Sequence, residues 1–150
     1  MPGAAEGALI RAGASTLTLG ARGSIMETKV ARVLAGIAAI VLVATAAFHA
    51  TGYRAIVDGV SASALSPFFR RALPGIWLFL SWHLVALAFG LGWASIRGSS
   101  SARPLVWFIA LLASADTLFV FSLAGFFAGT ALLSFAAIGL IVAAVRWPGA

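Results

Sequence analysis

The stretch that decides the fold is PLVWFIALLASADTLFVFSLAGFFAGTALLSFAAIGLIVAAVRW, residues 104–147. A helix needs about 20 apolar residues to cross a bilayer core of ~30 Å, so this stretch has room for two crossings. It must therefore fold back on itself. We predict the turn between Leu123 and Phe127, where Gly125 can adopt backbone conformations that other residues resist. The predicted helices are 104–123 and 127–146.

Two further apolar blocks precede this hairpin. VARVLAGIAAIVLVATAAFHA (30–50) follows Lys29, and PGIWLFLSWHLVALAFGLGWASI (74–96) begins at Pro74, a residue that suits the first turn of a helix. The alternation of polar and apolar residues that is typical of membrane strands is absent. The sequence predicts an all-α membrane protein, a four-transmembrane-helix bundle with a short interfacial helical segment between helices 1 and 2.

The composition agrees with a membrane protein. Of the 150 residues, 62% are hydrophobic and 9% are charged, which lies outside the range of soluble domains. The formal net charge is +6, but the basic residues flank the apolar blocks, so we expect the lipid bilayer and no nucleic acid as their partner. The chain contains no cysteine, which excludes disulfides and thiolate chemistry.

Residues 1–25 differ from the rest because they are rich in Gly, Ala and Thr and lack a helical period. Met26 opens METKVARVLAG, which is typical of the start of a membrane protein. We therefore expect residues 1–25 to be disordered or a mis-annotated extension, and residues 26–150 to form the four-helix transmembrane domain. The alternative is that helix 1 is a signal peptide cleaved near residues 44–46.

The distribution of Lys and Arg predicts the orientation. One side of the bilayer carries seven of these residues and the other carries three, or five and three without residues 1–25. This ratio favours cytoplasmic termini in a multi-pass protein of the inner (plasma) membrane. The seven are Arg11, Arg22, Lys29, Arg32, Arg97, Arg103 and Arg146, and the three are Arg54, Arg70 and Arg71.

The segment that joins the first two blocks is too polar to span and too apolar for a plain linker. Apolar residues recur there at helical spacing, with Tyr53 on the apolar face and Arg54 and Asp58 off it. An aromatic pair then precedes Arg70 and Arg71, which suits rings in the membrane interface and guanidinium groups at phosphates. We predict a short helix that lies on the membrane as a lid; gating of a substrate by this lid is the alternative.

Polar groups inside the blocks form the candidate site. Asp116 lies ~18 Å along its helix from Pro104, and His83 lies about 13 Å from the opposite surface, so the two reach one level of the bilayer. An ionised Asp in mid-helix costs ~2.5 to 3.5 kcal/mol, so we predict that Asp116 pairs with His83 and shares a proton with it. His49 is expected nearer that surface, at a depth of roughly 5 Å.

Several neighbours are expected around this pair. Trp82 is expected to pack on it, and the hydroxyls of Ser81, Ser114, Thr117 and Ser122 lie at a similar depth. The remaining tryptophans lie toward the ends of the blocks, which is typical of an interfacial belt. They are Trp77, Trp93, Trp107 and Trp147.

We predict no cofactor, no metal and no catalytic residue. A haem held by two histidines needs them at a common level, and His49 and His83 differ by ~8 Å in depth. Zinc needs three or four ligands, and His49, His83 and Asp116 are far apart in the sequence. The chain has no glycine-rich phosphate loop and no GxSxG or HExxH motif.

Three functions remain open. The favoured one is a small inner-membrane protein without enzymatic activity, which acts as a homo-oligomer or as an accessory subunit of a larger membrane partner. The second is a proton-coupled transporter of small amphipathic or cationic compounds that uses Asp116 and His83. The third is a membrane redox or enzyme subunit. A purely structural role of the pair, as a hydrogen bond between helices, has equal weight with a functional role.

Overall fold

The structure is a computed structural model, which describes the backbone of residues 3–148 and the side chains of residues 26–148. The described chain consists of helices and short loops, without a strand. Its apolar helices provide four segments long enough to cross a membrane, as predicted. The helices are α1 (Gly3–Thr51), α2 (Tyr53–Ser61), α3 (Pro67–Arg97), α4 (Arg103–Ala124) and α5 (Ala128–Arg146), with a 3-10 turn at Ser100–Ala102.

The helix α1 begins earlier than the predicted block at residue 30. Its helical backbone includes residues 3–25, for which we predicted no regular structure. The segment contains several alanines, which have the highest helix propensity, and this preference competes with the missing apolar period. Its side chains lie outside the described residues, so the start site and the status of residues 1–25 stay predictions.

The helices α4 and α5 form the predicted hairpin. Gly125 follows α4 with φ 69° and ψ −155°, a conformation that is essentially restricted to glycine. Its N–H donates to the carbonyl of Phe121 at 2.8 Å, and the Thr130 hydroxyl hydrogen-bonds the backbone of Phe127 before α5. The turn at Gly125 is confirmed, and the helix ends lie within one residue of the predicted ones.

The start that we predicted for the second block is wrong. α3 begins at Pro67, directly after Ser66, and Pro74 lies inside the helix. A proline inside a helix removes one hydrogen bond, here the bond to the carbonyl of Arg70, and often ends or kinks the helix. α3 nevertheless continues through Pro74 and contains 31 residues in all.

The short helix α2 coincides with the predicted apolar pattern. Its half-buried residues include Tyr53, Ile56 and Val60, whereas Arg54 and Asp58 are exposed. The half-buried face packs against α3. The helix itself is therefore present, and its position on a membrane surface stays a prediction.

The helix α1 lies at the centre of the packing. It packs along α3 and along α5, α4 packs along α5, and α3 meets α4 over a much shorter stretch. The contact faces consist mainly of Ala and Leu, and the small Ala side chains let the backbones approach closely. Fully buried residues include Ala31, Ala35, Leu42, Leu84, Leu91, Ala110, Leu140 and Ala144. We call the end of the bundle that carries residues 98–102 the loop end, and the opposite end the α2 end.

At the loop end, α1 and α3 are joined by Arg32. Its Nε donates to the carbonyl of Ser95 at 2.7 Å and its Nη2 to the carbonyl of Ile96 at 3.0 Å. The Ser95 hydroxyl donates in return to the carbonyl of Arg32 at 2.9 Å. The guanidinium group thus caps the last turn of α3, where helix carbonyls lack N–H partners and a positive charge is favourable.

Candidate functional site

His83 on α3 and Asp116 on α4 are in direct contact. His83 Nε2 lies 3.0 Å from Asp116 Oδ2, and the two side chains are 26% and 21% exposed. Either an imidazole N–H donates to a carboxylate, or a carboxylic acid donates to the bare nitrogen. The contact predicted from the depth of the two residues is confirmed. Its functional role stays a prediction.

A second contact shows how α3 meets α4. Gly90 approaches Ile109 so closely that a Cβ on Gly90 would lie 3.2 Å from Ile109 Cδ1. His83 is seven residues from Gly90, and Asp116 is seven residues from Ile109, which is about 10 Å along each helix. Both contacts therefore belong to one antiparallel register, and the pair lies two turns closer to the α2 end.

The packing between α3 and α4 opens at the pair. One turn toward the loop end, Leu87 is 8% and Ala113 is 0% exposed. One turn toward the α2 end, Phe79 is 70% and Phe119 is 62% exposed, although they lie on the same helix faces as the pair. We call the space between Phe79, His83, Asp116 and Phe119 the α3–α4 cleft. The pair lies at its closed end.

Each member of the pair keeps one polar atom free for a further hydrogen bond. Among the described side chains, His83 Nδ1 and Asp116 Oδ1 have no other partner. The hydroxyls of Ser114, Thr117 and Ser122 donate instead to carbonyls of the preceding turn of α4. The pair therefore presents one nitrogen and one oxygen toward the outside of the bundle.

Three expectations about neighbouring residues are wrong. Trp82 is 71% exposed, because successive residues of a helix point ~100° apart and His83 is turned toward α4. Ser81 is buried on the other side of α3, where its hydroxyl has no partner among the described residues. Trp147 does not belong to an exposed belt, since it is 2% exposed and its indole donates to the carbonyl of Ser99 at 2.9 Å.

His49 pairs with Trp77 and not with the candidate site. The two rings stack with centroids 3.9 Å apart and an interplanar angle of 18°. Trp77 Nε1 donates to the carbonyl of His49 at 2.9 Å, and His49 Nε2 donates to the carbonyl of Trp77 at 3.1 Å. The sequence analysis missed this interaction, although Trp77 lies three residues after Pro74, at about the depth predicted for His49. His49 therefore joins the end of α1 to α3.

The residues predicted in the interfacial segment do not converge on the pair. Tyr53 is half-buried, and Arg54, Asp58, Arg70 and Arg71 are exposed at the α2 end. Arg71 Nε donates to the carbonyl of Pro67 at 3.3 Å, within its own helix. The structure thus separates these residues from His83 and Asp116.

The pair can share a proton and form hydrogen bonds, which is a limited chemistry. Within the described part of the chain, no three His, Cys, Asp or Glu residues are grouped so that they could hold a metal ion. Zinc needs three or four such ligands, and the pair supplies two.

In comparison with known proteins, the chain matches no family model, no curated protein sequence and no solved structure.

Proposed function

We propose that this chain is a non-enzymatic subunit of a membrane assembly and that it joins the assembly through the α3–α4 cleft. The observation that carries this proposal is the His83–Asp116 pair, whose remaining polar atoms face the outside of a single bundle. In a membrane that outside is lipid hydrocarbon, which offers no hydrogen bond. A second membrane chain over the cleft can supply the missing partners.

The energetics of the cleft favour a partner at the pair over one at any other face. An unpartnered polar group in an apolar medium costs several kcal/mol. The exposed rings of Phe79, Phe89 and Phe119 carry no such cost, because lipid tails are as apolar as a helix surface. Polar atoms, and not apolar area, therefore decide where a second chain binds.

The proposal includes an orientation and a location. The loop end carries Lys29, Arg32, Arg97, Arg103 and Arg146, whereas the α2 end carries three arginines. Basic residues are retained in the cytoplasm, so we place the loop end and both termini there, in the inner (plasma) membrane. The helix α2 then lies at the outer surface, with its apolar face on α3 and its charged residues in water.

A bulky residue on the exposed surface beside the pair tests this proposal. Ala86 lies one turn from His83 on α3 and is exposed, and Ala47 is an exposed alanine on α1, away from the cleft. We expect Ala86→Trp to release the subunit as a monomer in mild detergent, measured by light scattering behind size exclusion, while Ala47→Trp keeps the mass of the wild-type assembly. A monomeric wild-type protein, or two variants with the same mass as wild type, would contradict the proposal.

The hydrogen bond between His83 and Asp116 also favours a second candidate function, proton-coupled transport of a small amphipathic or cationic compound. A carboxyl and an imidazole in contact at membrane depth can carry a proton between two states of the bundle. The test is uptake of such compounds into proteoliposomes under a pH gradient. Asp116→Asn is expected to abolish uptake, whereas Asp58→Asn, at an exposed residue of α2, is expected to leave it unchanged.

A further inference from the structure

The chain that covers the cleft can be specified further. On the basis of the proposed function above, we infer that the partner is a second copy of this chain, related by a two-fold axis, and that the two His83–Asp116 pairs complete each other. In this arrangement His83 Nδ1 of each copy donates to Asp116 Oδ1 of the other. The site in one copy is incomplete without the second.

The first step is the proton count of the pair. In an apolar environment a pair without net charge is favoured over a charged one. The neutral pair exists as imidazolium with carboxylate, or as imidazole with carboxylic acid, and the two forms differ only in whether the shared proton lies on Nε2 or on Oδ2. In both forms the second imidazole proton lies on Nδ1. In these two forms the neutral pair presents one donor, His83 Nδ1–H, and one acceptor, Asp116 Oδ1; when the carboxylic proton lies on Oδ1 and the imidazole proton on Nε2, the donor and the acceptor exchange places.

The second step is the symmetry of such a surface. A donor and an acceptor side by side are complementary to a copy of themselves that is turned by a two-fold rotation, because each donor then faces an acceptor. An interface of this kind uses the same patch on both subunits. A different membrane chain would have to carry its own donor and acceptor at this depth. A second copy of this chain carries both, because it contains the same His83–Asp116 pair.

Small residues lie on the surface beside the pair. The exposed residues next to the pair include two alanines, Ala86 on α3 and Ala115 on α4. Small residues let helices of different subunits come near each other in a membrane. Larger exposed rings surround these alanines: Phe79 and Phe119 lie toward the α2 end, and Trp82 and Phe89 lie one turn on either side of Ala86.

Because the chain contains no cysteine, single cysteines can test the contact without other changes. We expect Ala86→Cys to form a covalent dimer when membranes are oxidised, and the matched variant Ala47→Cys on α1 to remain a monomer. A disulfide requires Cα atoms about 4.4 to 6.8 Å apart, so it forms only where the two residues come into contact, and the Ala47→Cys variant measures the yield from random collision. Equal dimer yields from the two variants would overturn the inference.

An exchange of the two residues tests the reciprocal bonds. Asp116→His places two imidazoles in each copy, and His83→Asp places two carboxyl groups, so each single variant replaces the unlike pair with two like groups that repel each other when both are charged. The double variant His83→Asp with Asp116→His again offers one donor and one acceptor. In the Ala86→Cys background we expect each single variant to raise the dimer dissociation constant roughly tenfold or more, because two interhelical bonds are lost. We expect the double variant to return the dissociation constant to the value measured with His83 and Asp116 in place. A double variant no better than the single ones would overturn the inference.

A photo-reactive amino acid in place of Ala86 separates this inference from the proposed function on which it rests. An adduct at twice the mass of the chain supports the second copy. An adduct of any other mass overturns the inference that the partner is a second copy. It leaves the proposal that the subunit joins a membrane assembly through the cleft. A well-folded protein without any adduct overturns both. Because this experiment leaves His83 and Asp116 intact, it does not depend on whether the exchanged variants fold.

Discussion

Replacement of Trp77 by Phe is the sharpest test of how α1 and α3 are held together. The change removes the indole N–H that donates to the carbonyl of His49 at 2.9 Å and keeps an aromatic ring over the imidazole. That carbonyl retains the N–H of Gly52 at 3.1 Å, so it is not left without a partner. The expected cost is therefore that of one interhelical bond in a membrane protein, ~0.6 to 1.7 kcal/mol.

The matched control is Trp82→Phe, five residues along the same helix. Trp82 is 71% exposed and has no hydrogen bond among the described residues, so its replacement should change the free energy of unfolding by less than about 0.5 kcal/mol. Reversible unfolding in mixed micelles, followed by far-ultraviolet circular dichroism, measures both variants. We expect the unfolding constant to rise about threefold to eighteenfold for Trp77→Phe alone. Equal effects of the two replacements would refute the proposed role of the Trp77 indole.

Three further predictions use the same assay. Gly125→Ala should destabilise the α4–α5 hairpin by about 1 to 3 kcal/mol, because φ is 69° and ψ is −155° there. The control is Gly59→Ala, where a Cβ meets nothing within 4 Å, and this change should be neutral or stabilising. Equal effects of the two changes would contradict the turn geometry. Arg32→Gln should lower stability by about 1 to 3 kcal/mol because it removes the charged cap of α3, and an unchanged unfolding midpoint would contradict that role. A double-mutant cycle with His83→Gln and Asp116→Asn should give a coupling of ~0.6 to 1.7 kcal/mol, and additive effects would show that the pair is not formed in the folded protein.

Depth along the helices predicted the central contact of the site. Asp116 and His83 were placed at one level by counting residues from Pro104 and Pro74, and the structure brings them to 3.0 Å. The count was successful although α3 begins at Pro67, because the membrane level of a residue depends on where the apolar block begins and not on where the helix does. The Gly125 turn was predictable for a different reason, since an apolar run too long for one crossing must reverse near a residue that tolerates positive φ.

Other features could not be read from depth, because depth does not give the direction of a side chain. Trp82 neighbours His83 in the sequence, but it points away from the bundle, and this is decided by which helix lies opposite α3. Likewise, the length and charge of Arg32 fit a headgroup anchor and a helix cap equally well. Only the antiparallel packing of α1 on α3 brings its guanidinium group to the carbonyls of Ser95 and Ile96.

The position of Pro74 inside α3 bears on how the bundle accommodates bilayers of different thickness. α3 contains 31 residues and is ~46 Å long, whereas α4 and α5, with 22 and 19 residues, are ~33 and ~28 Å long and match a hydrocarbon core of ~30 Å. Residues 67–73 of α3 extend beyond its apolar block, and the missing hydrogen bond to the Arg70 carbonyl makes this section the easiest part of α3 to bend. In a thinner membrane this first section can incline at Pro74 while the remaining helices keep their tilt.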